Sequence, residues 1–167
     1  MKKITAALAL ITAVVVLWGC PYKSDVGIDD KPAVKIDNIL LGTWHKADFP
    51  DDSTELVFTK ATPLKYDLKT VVPDGSGGYE TDHYEAWFTK LGDRKLISLY
   101  SAGSKKYLFG EAGLTGSQLS VKLLSEDITT QQFSTVAEMR KFIEGIYAAG
   151  TVKYDGDIDL EGMIKSR

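Results

Sequence analysis

The sequence predicts an antiparallel all-β domain, a sandwich or a small barrel, with one helix before its last strand. Three observations carry this reading. From Ile39 to Phe133, short apolar runs are broken by turn residues roughly every 8–14 positions, the spacing of a sandwich or barrel. Two runs alternate with period two. Leu64, Tyr66, Leu68, Thr70 and Val72 share one face against Lys65, Asp67 and Lys69, and Leu119, Val121 and Leu123 oppose Ser120 and Lys122. Such alternation marks strands with one buried and one wet face. The single segment of helical period comes late, after Thr135.

The elements follow in chain order. Lys2 and Lys3 precede the uncharged run Ile4–Leu17, which ends at Leu17-Trp18-Gly19-Cys20. The run is shorter than the ~20 residues a spanning helix needs and has the length of a signal-peptide core. Residues 1–19 therefore read as a leader. Residues 20–38 are rich in Pro, Asp, Lys and Gly and read as a flexible tether. The folded domain takes residues 39–167. Its strands are expected near Gly42-Thr43-Trp44, Leu56–Lys60, Leu64–Val72, Tyr79–Leu91, Arg94–Ser101, Lys105–Gly110 and Leu119–Leu123. Pro50-Asp51-Asp52, residues 73–78 (Pro-Asp-Gly-Ser-Gly-Gly) and residues 113–117 break them, and Gly92-Asp93 has the two-residue form of a hairpin turn. Thr135 and Glu138 form a capping box. Val136, Met139, Ile143, Ile146 and Tyr147 follow at helical spacing, and Gly150 ends the helix. A last strand is expected at Thr151–Asp155.

Composition narrows the function. The formal charge is −3, and losing Lys2 and Lys3 makes the remainder more acidic. Such a chain lacks the basic footprint of a nucleic-acid binder. Cys20 is the only cysteine, so no internal disulfide can form. His45 and His83 are the only histidines, too few for a zinc site of three or four ligands. Asp155, Asp157, Asp159 and Glu161 resemble the start of a calcium loop, but Leu160 and Ser166 stand where Gly and Glu are required. A solvated acidic turn accounts for them better. The chain carries no nucleophile elbow, phosphate loop or dinucleotide fingerprint, and no spacing pairs two carboxylates for acid–base work. The expectation is a protein that is not an enzyme and needs no cofactor.

Two resemblances sharpen this. Leu17, Gly19 and Cys20 resemble a bacterial lipobox. That implies cleavage before Cys20, acylation of its sulfur by chains such as palmitate, and an envelope location, by default the outer membrane, facing the periplasm or the outside. Two or three acyl chains anchor far more firmly than one. Gly42-Thr43-Trp44 resembles the first-strand signature of lipocalins and related calycins. The meander of strands, the late helix and the last strand are similar to that family as well, and to lipocalin-like lipoproteins of the Bacteroides type. The resemblance implies an up-and-down β-barrel of about eight strands. In it Trp44 is a structural plug, and the interior holds a small apolar or amphiphilic ligand. The family's disulfide is missing, and neither Arg94 nor Arg140 can be assigned as the arginine that stacks on the plug.

Tyr66, Leu68, Tyr84, Phe88 and Val121 are the candidate ligand contacts. The aromatic ones read first as core and second as cavity lining. Trp87 alternates with His83 and Glu85 onto the outer face, either packing under the helix or contacting a protein partner. The alternative function is thus a packed barrel acting through its outer surface, as an inhibitor or an assembly component of the envelope.

Overall fold

The computed structural model describes residues 20–46, 54–156 and 160–166. Eight strands follow one another: β1 (Gly42–Lys46), β2 (Glu55–Thr62), β3 (Lys65–Pro73), β4 (Tyr79–Leu91), β5 (Arg94–Ser101), β6 (Lys106–Thr115), β7 (Gln118–Leu123) and β8 (Leu160–Lys165). Each pairs antiparallel with its chain neighbour, and β8 returns to β1, so the sheet closes into a barrel. Helix α1 (Val136–Ala149) lies between β7 and β8. The expected barrel, with one helix before its last strand, is therefore the fold.

Alternation sets which side chains fill the barrel. Leu56 and Phe58 on β2, Tyr66 and Leu68 on β3, Ala86 and Phe88 on β4, and Ile97 and Leu99 on β5 all join one interior core. Leu119, Val121 and Leu123 join it from β7. Gly110 shows how tightly the wall is knit. A Cβ at this position would stand 2.2 Å from the main-chain oxygen of Lys122 on β7. On β8, Leu160 faces Val121 and Met163 faces Leu119. Two residues an odd number of positions apart would point to opposite faces of a regular strand. A bulge brings both inward, and Gly162, at φ 67°, supplies the left-handed residue it needs.

A second core lies outside the barrel wall. Leu91, Leu96 and Phe109 point outward from β4, β5 and β6 and meet Met139, Ile143 and Ile146 of α1. The capping box is present as expected. Thr135 Oγ1 accepts from the Glu138 N–H, and Glu138 Oε2 accepts from the N–H groups of Ser134 and Thr135. These backbone donors hold the Glu138 carboxyl below the usual carboxylate range.

The structure corrects two expectations. Thr151–Asp155 is not a strand; it makes only an isolated bridge, Leu124 to Tyr154, and β8 is the last strand. Tyr154 and Val152 pack on the outer core instead of entering the sheet. The flexible tether over 20–38 is likewise replaced, from Cys20 on, by a strap bound to the wall. Its few large apolar residues are the ones that dock: Tyr22 and Ile28 are buried in the outer core and Val26 packs against it. Main-chain hydrogen bonds join Tyr22 to Leu124, and Ser24 to Tyr107 in both directions. Asp25 pairs with Lys106, and Asp29 with Arg140. The leader (1–19) and the acidic residues Asp157 and Asp159 lie outside the described residues. Among those described, no helix is long and apolar enough to cross a membrane.

Two outcomes test this account. Gly110→Ala is expected to cost about 3 kcal/mol, because the obstructing atom is backbone and cannot swing aside. Thr135→Ala is expected to cost about 1 kcal/mol through loss of the cap. Urea denaturation of each variant measures both.

Candidate functional site

The strap ends in a 3-10 turn (Asn38–Leu40) that seals one end of the barrel. Beneath the turn, Leu40 and Trp44 belong to the interior core. The indole Nε1 of Trp44 donates to the Leu40 carbonyl at 2.8 Å. Lys165 Nζ lies 5.6 Å above the Trp44 ring and donates to the Ile39 carbonyl. A lysine from β8, not Arg94 or Arg140, thus supplies the cation over the tryptophan. Tyr66 completes this floor. It is fully buried, and its hydroxyl accepts from the Asp37 N–H and donates to the Asp37 carbonyl. Phe58 and Phe88 meet its ring edge-on, at 5.6 and 6.1 Å.

Above the floor the barrel is hollow. A cavity of about 450 Å³ opens at the end formed by the close of β1, β3 and β7 and the start of β2, β4 and β8. Its walls are aliphatic: Leu56, Leu68, Ile97, Leu99, Leu108, Val121 and Leu123, with Phe58 at its base. Its rim is polar. Glu80 and Asp82 stand on β4, Thr70 on β3, Lys46 on β1 and Thr54 just before β2, and Pro21 and Lys23 of the strap complete the lining. Lys46 is only 8% exposed and holds a contact of its own within the protein.

Tyr84 sits where wall meets rim. Burial, then the charge of Asp82, a hydrogen bond with that carboxylate and the charge of Glu80 push its hydroxyl up to about 12. An apolar wall below and two carboxylates above both favour the neutral phenol.

The candidate contacts divide between the two halves. Leu68, Tyr84 and Val121 line the cavity. Tyr66 and Phe88 belong to the packed floor, and Trp44 is buried in the same core with its indole N–H on the Leu40 carbonyl. Trp87 is on the outer face but is no surface for a partner. It is 5% exposed, with Tyr107 edge-on at 6.1 Å and Lys65 over its ring. Tyr107 in turn is held by the strap, through Ser24 and Gly27. The rim residues went unread in the sequence, although Glu80 and Asp82 share the parity of Tyr84. Their charge reads as an outer face, and only the position of the mouth turns them inward. His45 and His83 lie apart, beside Ser166 and Asp67. Among the described residues, no group of His, Cys, Asp or Glu is placed to hold a metal ion.

Fold and cavity together define a closed antiparallel barrel, plugged at one end and hollow at the other. Comparison with known protein families, curated proteins and solved structures gives no match.

The raised Tyr84 value sets a pH dependence. A folded-state value above the ~10 of a free tyrosine means that its contribution to stability is complete below about pH 10 and is lost as pH climbs through about 12. Tyr22, Tyr66, Tyr147 and Tyr154 are raised by burial as well. The urea midpoint is expected to fall across that window, and Tyr84→Phe to flatten part of the fall.

Proposed function

We propose that this protein is a membrane-anchored lipoprotein of the lipocalin-like type whose barrel holds a small apolar or amphiphilic molecule. The observation that carries the reading is the cavity. Its ~450 Å³ lies within the roughly 300–1,000 Å³ of small-molecule sites. It is blind at the floor, aliphatic along its walls and polar only at the rim. An amphiphile placed tail-down buries its chain against Leu68, Leu99, Leu108 and Val121, at about 0.8 kcal/mol per CH₂. Its polar end then meets Thr70, Glu80 and Asp82, which need not be dehydrated.

The leader motif and an exposed Cys20 at the start of the strap support the anchored form, in the envelope and by default on the outer membrane. Trp44 on the floor supports the calycin resemblance.

The test is native mass spectrometry of the processed protein exposed to lipid extract of its host, with displacement of a fluorescent amphiphile with an uncharged head group as a second readout. A discrete added mass, released on denaturation, is expected. Leu108→Trp, which fills the hollow half, is expected to weaken binding about tenfold or more while the thermal transition stays cooperative. A protein that stays bare and fails to take up the probe overturns the reading.

A further inference from the structure

We infer that the cavity mouth faces the membrane at contact distance, so that the ligand passes between bilayer and barrel without crossing bulk water. This rests on the proposal that Cys20 carries lipid; the geometry that gives it direction is independent of that proposal.

A flexible tether would leave the barrel free to turn in any direction, but here the chain is fixed from its first described residue. The Cys20 carbonyl accepts from the Glu126 N–H at 2.8 Å, and Pro21 bridges to Ser125. Tyr22 N–H donates to the Leu124 carbonyl at 2.7 Å, and its ring is buried in the outer core. All these partners lie just beyond the end of β7, at the mouth. Pro21 and Lys23 line the cavity itself and also an open groove beside it that reaches Cys20. An acyl group on Cys20 therefore starts at the rim, with no slack to carry the barrel away from a bilayer.

The mouth also exposes apolar side chains. Tyr79, 60% exposed, and Val72, 43% exposed, flank the β3–β4 turn at this end, and Val72 lines the cavity as well. A tyrosine at the level of lipid headgroups has an apolar ring and a polar tip suited to that interface. With the anchor and the β3–β4 turn on different sides of one rim, two points of contact hold the opening toward the lipid.

The experiment uses full-length protein processed in a bacterial membrane and reconstituted in phosphatidylcholine vesicles with brominated acyl chains. Two matched reporters are compared, Tyr79→Trp at the mouth and Ile39→Trp at the floor, where Ile39 is 59% exposed. Trp44 and Trp87 are buried and contribute the same background to both. Bromolipid is expected to quench the added fluorescence of Tyr79→Trp about twofold or more and to leave that of Ile39→Trp unchanged. Lipidated protein in which Ile39→Trp is quenched as strongly, or in which neither reporter is quenched, overturns the orientation and leaves the anchor standing. Protein that lacks the diacylglyceryl mass overturns the anchor, and this inference with it.

Discussion

The interior of this barrel exists because β1 and β8 meet. Their seam is short, with Trp44 opposite Lys165, His45 opposite Ile164 and Lys46 opposite Met163, extended by a hydrogen bond from Ser166 N–H to the Thr43 carbonyl. Without it, two strand edges would present unpaired backbone groups, and an open sheet would have no inside to fill. The seam also forms part of the floor at its Trp44–Lys165 end. Trp44 plugs the barrel from β1, and Lys165, directly across the seam, lies over its ring. Closure and plugging are thus one structural event, and the bulge at Gly162 is what keeps both Leu160 and Met163 of β8 inward.

Side-chain size then divides the barrel into a packed half and a hollow half. Trp44, Phe58, Tyr66 and Phe88 converge near the 3-10 turn, where edge-to-face contacts leave no room. Toward the mouth the inward positions shrink to Thr70, Val121 and Leu123 or become charged, as at Glu80 and Asp82. An eight-stranded barrel is just wide enough to be filled by large residues and just too wide to be filled by small ones. The cavity is the result of this gradient.

Much of the barrel was legible because alternation survives wherever one face is wet. Tyr66, Leu68 and Val121 were assigned inward from β3 and β7 on that pattern, and Gly92-Asp93 and the capping box were legible from local chemistry alone. The pattern fails where both faces are buried. On β5 and β6, Ile97, Leu99 and Leu108 point in while Leu96 and Phe109 point out to α1, so the runs read as continuous apolar stretches with no face to choose. Alternation with His83 and Glu85 places Trp87 on the outer face, but that pattern does not encode what covers it. The strap was misread because Tyr22, Val26 and Ile28 are spread among turn-forming and charged residues. Three side chains suffice to dock a segment whose other residues remain in water, and composition averages them away. The division of the candidate contacts between floor and cavity depends on where each strand ends, which periodicity does not encode.

The strap has a mechanical consequence. It starts beside the mouth at Cys20 and follows the wall past Tyr107. At the far end the Ile36 N–H reaches the Pro63 carbonyl, before Asp37 clasps Tyr66. A pull on Cys20 therefore reaches the bonds of Cys20, Tyr22 and Ser24 first, then the buried Ile28 and the Asp29–Arg140 pair, and only last the Tyr66 clasp. These attachments yield in series, so the load peels the strap from its outer end before it reaches the seam. A tug that frees the first few residues of the strap therefore leaves the plug and the closure untouched.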